Sequence, residues 1–416
     1  MRIDFGFGHG IQSVQLPEKN LLGVLAANTM AFGLTGEEEV RRALHNPIGS
    51  KPLEDIVKPG EKIAIVTSDI TRPMPTALVM PSILDALNAA GVDPGDITLV
   101  FGLGIHREHT EDERRKLAGE RAWAEIRCMD STPQDTVSFG LTKAGTPVDI
   151  SRAVAEADRR ICLGNIEYHY FAGYSGGGKA LMPGVSTARA IQANHRMMVQ
   201  ESAAAGRLEG NPIREDIEEA ANIVGIDFIV NVVLDEKKRI VKAVAGDAVK
   251  AHREGCLFLD KLYRKPIPAR ADIVIVSQGG APKDLNLYQT QKALDNAKHA
   301  VKKGGIVILI GSCREGLGEA EFEAWMTGSP SAHAMVERIQ KDFRLGGHKA
   351  AAIAMVLEDA DIYMVSEMDP AFVQSIFLTP FDSAQSALDA ALSVMGKDAT
   401  VLAMPYGGST LPSAAK

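Results

Sequence analysis

Short runs of β-branched and aliphatic residues alternate with longer helical patterns along this 416-residue chain. The strand-like runs are KIAIVT (62–67), ITLVF (97–101), RICLG (160–164), FIVNVV (228–233), 273–276 and 306–310. Helical patterns lie between them, for example at 80–90, 111–117 and 213–224. Because parallel strands need a crossover between them, the alternation predicts an α/β fold with parallel or mixed sheets flanked by helices.

The length of the chain predicts two domains, because single hydrophobic cores stop growing at about 250 to 300 residues. The segment 263–269 (YRKPIPA) places two prolines among polar residues just before a strand-like run, which indicates a linker. A last strand-like run at 400–403 precedes Pro405 and two glycines, where the chain could cross back. We therefore predict an N-terminal domain, 1–268 with 402–416 returning to it. A C-terminal domain, 269–401, would close the cleft that holds the active site.

Charge and hydropathy exclude several classes of protein. The formal net charge of -8 argues against a nucleic-acid-binding surface, which is usually basic. No apolar stretch approaches the roughly 20 residues that span a bilayer, and the first twenty residues lack a signal-peptide pattern, so we expect a cytoplasmic protein without membrane contact. The four cysteines form no CxxC pair and are interpreted as buried thiols: Cys128, Cys162, Cys256 and Cys313.

Polar residues follow three of the predicted strands closely. Asp69 and Arg72 come after the first strand, His106 after the second and His169 after the third. Ligands of open parallel sheets bind outside the carboxyl ends of the strands, so these side chains are expected to converge although about 100 positions separate them. This placement predicts one site.

Each of these motifs also has a structural explanation. In SDITRPMP, Arg72 could present its planar guanidinium to a carboxylate while Asp69 orients it or meets a substrate hydroxyl, but a surface turn with a local ion pair fits the same residues. In GLGIHREHT, His109 competes with His106 or is simply the solvent-exposed histidine. We favour His106 because it is nearer the end of the strand.

The run GYSGGGKA, which ends at Ala180, nearly matches the phosphate-binding P-loop. Ala180 follows Lys179 where a P-loop has the Ser or Thr that binds magnesium. Pro183 falls where the helix interior would be, at a cost of about 3 kcal/mol. The run therefore indicates a glycine-rich bed for a phosphate-bearing ligand, without kinase chemistry.

Two further segments carry candidate ligands. His195 ends a helical pattern that starts at Thr187, and a single histidine needs additional metal ligands from a cofactor. In the second domain, Gln289 and Lys292 follow a strand-like run and share a helix face with spacing i, i+3, which could direct an amide and a cation at a carboxylate. An ordinary solvated helix face is the alternative.

Taken together, these segments resemble the nickel-dependent lactate racemase family, in order and along almost the whole chain. The residues that carry the resemblance lie in DITRP, GIHRE, the histidine of YHYFAGYSGGGK, PGV, QANH and YQTQK.

The resemblance implies a covalent cofactor, pyridinium-3-thioamide-5-thiocarboxylic acid mononucleotide, attached to Lys179. In this nickel-pincer nucleotide, nickel(II) is bound by the cofactor, and His195 is the protein ligand. Such a donor set suits square-planar nickel. Gly176, Gly177 and Gly178 would wrap the phosphate with backbone N–H groups. Separate cofactor-synthesis enzymes would be required as partners.

The implied reaction inverts C2 of a small 2-hydroxy acid by hydride transfer to and from the cofactor. The α-hydrogen is far too weakly acidic for a histidine of pKa near 6.5, since each pKa unit of mismatch costs about 1.36 kcal/mol. By resemblance, His106 and His169 are the two catalytic bases that serve the two enantiomers. The residues implied in substrate binding are Asp69, Arg72, Tyr288, Gln289 and Lys292.

Alternatives remain open at this point. The same chemistry could act on malate, an aromatic 2-hydroxy acid or a sugar acid instead of lactate. A nucleotide-binding protein with a degenerate P-loop is the rival from another class, and a cofactor carrier without turnover is the third.

Overall fold

The chain divides into two compact units. The structure, a computed structural model, describes residues 1–26, 28 and 30–414. The inserted unit is Met30–Asp260, and the discontinuous unit combines Met1–Thr29 with Lys261–Lys416. Each unit contains a six-stranded sheet with helices, which confirms the predicted α/β fold. Within the described part of the chain, no helix is long and apolar enough to cross a membrane.

The strands of the described residues are numbered in chain order. They are β1 (Arg2–Phe7), β2 (Gly10–Gln15), β3 (Leu21–Val24), β4 (Ile63–Ser68), β5 (Ile97–Gly102), β6 (Arg127–Asp130), β7 (Thr136–Leu141), β8 (Pro147–Ser151), β9 (Arg159–Asn165), β10 (Tyr168–His169), β11 (Gly173–Tyr174), β12 (Phe228–Leu234), β13 (Ile240–Gly246), β14 (Arg264–Ile267), β15 (Ala271–Ser277), β16 (Val301–Ile310), β17 (Ala360–Val365), β18 (Thr379–Phe381), β19 (Val401–Met404) and β20 (Leu411–Ala414).

The α-helices are numbered in the same way. They are α1 (Gly36–His45), α2 (Thr76–Ala89), α3 (Glu111–Ala118), α4 (Glu120–Glu125), α5 (Arg152–Ala155), α6 (Ala188–His195), α7 (Pro212–Val224), α8 (Lys250–Tyr263), α9 (Leu287–Ala297), α10 (Ala320–Gly328), α11 (Ala332–Lys341), α12 (Gly347–Leu357), α13 (Pro370–Ser375) and α14 (Ala384–Met395).

The sheet of the inserted unit has the order β6-β5-β4-β9-β12-β13. All neighbours are parallel except β12 and β13. The central strand β4 is buried at every residue except Ser68, as expected of a parallel strand covered on both faces. Strand order reverses between β4 and β9, and such a switch point is where open α/β sheets bind ligands.

The sheet of the discontinuous unit is entirely parallel, with the order β18-β17-β16-β15-β19-β3. Its strand order reverses between β15 and β19. The hairpin formed by β1 and β2 packs on this sheet, since Phe5 and Val14 share one core with Ile275 of β15 and Leu388 of α14. A two-stranded hairpin is marginal alone, so this burial stabilises it.

These units differ from the predicted domains at both ends of the chain. The first residues belong to the discontinuous unit, because β3 pairs with β19 and the β1–β2 hairpin packs on the same sheet. The segment 402–416 stays in that unit as well, since Val401–Met404 pairs with β15. The two chain crossings therefore fall near residues 30 and 260.

The segment 263–269, interpreted from the sequence as a linker, is in fact structured. It contains β14, which pairs in parallel with β20. Proline fits this ribbon because each strand has a single neighbour, so only part of its N–H groups need partners.

Candidate functional site

Asp69 and His106 meet beyond the carboxyl ends of β4 and β5. The Nδ1 atom of His106 donates a hydrogen bond to Oδ2 of Asp69, and Thr71 Oγ1 donates to both carboxylate oxygens at 2.9 and 3.1 Å. Burial alone would raise the pKa of Asp69, but the bonds from His106 and Thr71 outweigh it, and the pKa is lowered. The sequence suggested that Asp69 orients Arg72 or meets a substrate hydroxyl. In the structure its carboxylate accepts hydrogen bonds from His106 and Thr71, and a role in substrate binding stays a prediction.

His109 has a structural environment and is not the solvent-exposed histidine that the sequence allowed. It is 6% exposed. Its Nδ1 bonds to Oδ1 of Asp130 at 2.6 Å, and its Nε2 accepts the N–H of Ile70 at 3.0 Å. Both ring nitrogens are therefore used within the protein, whereas His106 keeps 21% of its side chain exposed.

The loop that carries His106 packs against the segment that follows Lys179. The Gly104 N–H donates to Gly184 O at 2.8 Å, and Gly104 has φ +57°. A Cβ at Gly102 would lie 2.9 Å from the backbone of Gly184. Glycine is needed at both positions, one for its conformation and one for the close approach.

The ring of Phe171 joins three of the predicted site residues. Its centre lies 4.4 Å from the ring of His169 and 4.8 Å from the ring of His195, both edge to face. The Nζ atom of Lys179 lies 5.9 Å from the same centre. Phe171 is 3% exposed. The structure thus brings His169, Lys179 and His195 together around one buried aromatic side chain that sequence analysis did not identify.

Burial and positive charge disfavour the protonated forms of two of these groups. The pKa of Lys179 is well below its usual value because the amine is desolvated, with further lowering by Arg214 and Arg72 that Glu167 partly opposes. The pKa of His169 is likewise well below its usual value, through desolvation and then the charges of Lys179 and Arg72. In the described residues, Lys179 Nζ has no hydrogen-bond or ion-pair partner.

Arg214 of α7 is a second residue that sequence analysis missed. It is 0% exposed. Its guanidinium donates to Ala172 O at 3.2 Å, to Tyr174 O, and to Gly176 O at 3.5 Å. Burial lowers its pKa to about 10. Arg214 therefore fixes the backbone that leads into the glycine run and adds positive charge beside Lys179.

Internal packing accounts for the glycines at 176–178. Gly176 and Gly177 have φ +78° and +59°. A Cβ would lie 2.6 Å from Asn231 Oδ1 at Gly176, and 2.9 Å from Ala221 Cβ at Gly178. The Gly177 N–H already donates to Asn231 Oδ1 at 2.7 Å. These glycines pack against protein atoms, so their binding of a phosphate stays a prediction.

The helix that a P-loop requires does not follow Lys179. The lysine lies in a 3-10 helix, Gly177–Ala180, and the next α-helix, α6, begins at Ala188. Without helical N–H groups behind the lysine, the phosphate cradle of a P-loop cannot form.

His195 is the last residue of α6, as the helical pattern predicted, and it is 7% exposed. In the part of the chain that the structure describes, no three His, Cys, Asp or Glu side chains are grouped so as to hold a metal ion. The described cysteines are free, and burial raises the thiol pKa of Cys162, Cys256 and Cys313 to about 12. They suit core packing better than metal binding.

Tyr288 and Gln289 lie in the first turn of α9, beyond the carboxyl end of β15 in the discontinuous unit. Asn286 caps this turn, because its Oδ1 accepts the Gln289 N–H at 3.1 Å. Lys349 Nζ donates to Tyr288 O at 2.6 Å and lies 3.6 Å from the centre of its ring. Lys292 is exposed one turn further along α9. Lys349, for which sequence analysis predicted no role, therefore holds Tyr288 in position through these two contacts.

The fold and the inserted unit's site define an α/β enzyme that combines several histidines with a desolvated lysine at a sheet switch point. Two family models match the chain: the lactate racemase N-terminal domain over residues 7–206, and the lactate racemase C-terminal domain over residues 267–411. The chain belongs to the lactate racemase family, and it is an isomerase of the racemase type.

Individual relatives agree with this assignment. The lactate racemase of Thermoanaerobacterium thermosaccharolyticum is 32% identical over 98% of this chain and 98% of its own length. That of Lactiplantibacillus plantarum is 32% identical over 97% of this chain and 98% of its own length. The solved structure of the lactate racemase apoprotein from Thermoanaerobacterium thermosaccharolyticum matches with a TM-score of 0.89 and 31% identity, over 99% of this chain and 100% of that one.

Proposed function

We propose that the protein interconverts the two enantiomers of a small 2-hydroxy acid, with lactate as the first candidate, using a nickel-pincer nucleotide bound to Lys179. The observation that carries this proposal is the grouping of His169, Lys179 and His195 around Phe171. It supports the proposal because the candidate nucleophile Lys179, the candidate metal ligand His195 and the candidate base His169 all lie close to one ring.

Lys179 suits covalent attachment of the cofactor. A lowered pKa increases the unprotonated fraction of the Lys179 amine, and the unprotonated amine is the form that acylation needs. Two cations, Arg72 and Arg214, stand near it with Glu167 as the opposing charge, so an anionic ligand is favoured there. Among the described residues, the buried Nδ2 of Asn231 has no hydrogen-bond partner, and Asn231 contacts the glycine run through its Oδ1. These features fit a phosphate-bearing group joined to the lysine.

His195 suits the role of the one protein ligand. The described residues offer no cluster of three ligands, so a nickel ion here would need most of its donors from the cofactor. When bound, the cofactor supplies nickel and an electron-poor ring that can accept the α-hydrogen of the substrate with its bonding electrons and return them. Enzymes that synthesise this cofactor are required partners of the protein.

His106 and His169 would exchange the hydroxyl proton of the substrate. Asp69 accepts from Nδ1 of His106, which leaves the lone pair of the neutral ring on Nε2. The lowered pKa of His169 keeps it in the basic, neutral form. Two bases are useful because the two enantiomers present their hydroxyls in different directions.

Arg72 is the candidate for carboxylate binding in the inserted unit. It is exposed, and its guanidinium has no hydrogen-bond partner among the described residues. A bidentate contact with the substrate carboxylate would hold the acid while the carbonyl of the 2-keto intermediate turns over. Tyr288, Gln289 and Lys292 of the discontinuous unit are proposed to contribute to substrate binding as well.

The deciding experiment uses protein produced together with the cofactor-synthesis enzymes. Enantiopure lactate, malate, aromatic 2-hydroxy acids and sugar acids are followed by optical rotation, and the active acid is then deuterated at the α-carbon. We expect racemisation with most deuterium retained at that carbon, because the hydrogen travels to the cofactor and back without exchanging with water. His106→Gln should abolish turnover, while the exposed His333→Gln serves as the control.

Two results would contradict this proposal. Exchange of the α-deuterium with water at the rate of racemisation would indicate proton abstraction from carbon. Binding of ATP with magnesium, in the absence of racemisation of any tested acid, would favour the nucleotide-binding alternative, against which the missing helix after Lys179 already counts.

A further inference from the structure

A chain of three side chains runs from α7 to the ring of His195. Asn194 Nδ2 donates to Oδ2 of Asp216 at 2.7 Å, and Asn194 Oδ1 lies 2.9 Å from Nδ1 of His195. Asn194 is 0% exposed and Asp216 3%. The three residues are thus linked by hydrogen bonds and are all buried.

The direction of each bond in this chain is fixed by chemistry. A carboxylate can only accept, so Asn194 must turn its NH₂ group toward Asp216. The same NH₂ group donates to Ile213 O at 3.2 Å, a second atom that can only accept. The amide oxygen of Asn194 must therefore face His195, and Nδ1 of His195 must carry a hydrogen.

Asp216 is itself held by the β7–β8 hairpin. Thr142 Oγ1 donates to Oδ1 of Asp216, and Thr146 Oγ1 donates to Oδ2 at 2.7 Å. Thr146 is 0% exposed and Thr142 5%. Asn194, Thr142 and Thr146 thus all donate to the carboxylate of Asp216, and these three hydrogen bonds favour its ionised form, which can only accept.

We propose that Asp216 and Asn194 are positioning residues that fix His195 in the tautomer with hydrogen on Nδ1 and the lone pair on Nε2. The role of that lone pair as the nickel ligand rests on the proposed function, whereas the tautomer does not. A metal-binding histidine commonly donates its other ring N–H to such a partner, which orients the ring and increases its basicity. Here the partner is an amide whose own orientation is set by a carboxylate one helix away.

The tautomer can be read without cofactor. Protein labelled with 15N-histidine is studied by NMR at mildly alkaline pH, and the His195 signals are assigned by their loss in His195→Gln. We expect a pyrrole-type shift for Nδ1 and a pyridine-type shift for Nε2 in the unsubstituted protein. The reverse assignment would overturn the proposal, whether or not the Asn194 and Asp216 variants fold.

Two variants test the relay, and a third serves as the control. Asn194→Leu should give a mixture of tautomers at His195, and Asp216→Asn a smaller shift in the same direction. Thr142→Val removes a donor from the same carboxylate without touching Asn194, so it should lower stability but leave the His195 spectrum unchanged. An unchanged spectrum in Asn194→Leu, or in Asp216→Asn, would overturn the role given to that residue.

Cofactor-loaded protein then tests the link to the metal. We expect Asn194→Leu to lose nickel to a chelator about 10- to 100-fold faster than the unsubstituted protein, the usual effect of removing such a partner. Asn194→Leu could lose nickel no faster than the unsubstituted protein, although the latter shows the predicted tautomer. That result would leave the relay intact and contradict the role of His195 as the nickel ligand. Failure of the relay and failure of the proposed function are therefore distinguishable.

Discussion

Asp69 and Asp130 each accept a hydrogen bond from Nδ1 of a histidine, but within the described residues only His109, the partner of Asp130, also bonds to the backbone through Nε2. His109, the partner of Asp130, accepts the Ile70 N–H through Nε2. His106, the partner of Asp69, is the more exposed of the two and makes no such contact. The pair of Asp130 and His109 therefore suits a structural role, whereas the pair of Asp69 and His106 suits proton exchange.

We therefore expect Asp69→Asn and Asp130→Asn to have different effects. Asp69→Asn should lower kcat, up to the roughly 10²- to 10⁴-fold contribution of a general base. It should also lower the free energy of unfolding, because the bonds that lower the pKa of this buried carboxylate stabilise the fold. Asp130→Asn should mainly lower that free energy. Because the equilibrium constant of racemisation is unity, kcat/KM must fall equally in both directions. Steady-state kinetics from each enantiomer and urea unfolding measure these effects. Equal loss of activity in both variants would contradict the distinction.

Lys179 should be unusually reactive before the cofactor is attached. Each unit by which the pKa is lowered increases the neutral fraction about tenfold, so at neutral pH a small acylating reagent should modify Lys179 faster than an exposed lysine such as Lys283. Competitive labelling followed by peptide mass spectrometry gives the two rates. Protein made with the synthesis enzymes should carry a mass adduct that Lys179→Ala abolishes. Labelling of Lys179 no faster than Lys283, or the same adduct on Lys179→Ala, would be inconsistent with the proposed attachment.

Alanine variants of the three site histidines should differ in their nickel content. His195→Ala is expected to lose nickel, with the organic adduct retained, whereas His106→Ala and His169→Ala should keep nickel and lose turnover. Elemental analysis and intact mass distinguish these outcomes. Normal nickel content in His195→Ala would exclude it as the ligand.

His169 should make the protein less stable in acid. Its pKa is lowered in the folded state, so the unfolded state binds the proton first, and stability falls as pH drops below the unfolded value of about 6.5. The slope is at most about 1.4 kcal/mol per pH unit. His169→Phe should flatten the dependence of the urea midpoint on pH. His333 serves as a control with the opposite pH dependence of stability. Glu358 raises the pKa of His333, so the stability that this pair contributes is lost as pH rises. A steeper acid loss in His169→Phe would contradict this prediction.

Arg214 should be essential for stability. Arg214→Met removes the charged donor from the carbonyl oxygens of Ala172 and Tyr174, and of these two Ala172 O keeps the Tyr174 N–H at 2.9 Å. We expect a loss of about 3 kcal/mol in the free energy of unfolding, because two hydrogen bonds from a buried charged group are lost together. Arg189→Met is the matched control, because Arg189 is 73% exposed in its pair with Asp149 and should contribute at most about 1 kcal/mol. Equal losses in the two variants would show that the buried carbonyls find other donors.

The regular elements of the fold could be predicted because their signals are local. The run KIAIVT has the continuous hydrophobicity of a buried parallel strand, and β4 lies within one residue of it at each end. Asn211 and Pro212 start α7 as a cap and a first-turn proline, close to the predicted start at Ile213. The assignment of residues 1–29 could not be predicted, because it depends on β3 pairing with a strand almost the whole chain away.

The site was only partly predictable for the same reason. Histidines and lysines that follow strands or glycine runs are visible in the sequence, and the topology of the sheet brings them to one edge. Phe171 and Arg214 act through tertiary contacts that no spacing encodes, and Asp216 reaches His195 through the side chain of another residue. Asn194 directly precedes the predicted ligand His195 in QANH, so the sequence pointed to its neighbourhood. Its role could not be predicted, because it depends on Asp216, the acceptor on α7.

The pairing of β3 with β19 also determines how the protein must be completed on the ribosome. The first strands are synthesised long before β15 and β19, and the whole inserted unit emerges between them. Domains tend to fold as units during synthesis, so the inserted unit can close its own sheet while Phe5 and Val14 still lack the surface that covers them. During that interval the nascent chain carries an apolar hairpin that its own sheet does not yet cover, and the discontinuous unit is completed only after β19 has been synthesised.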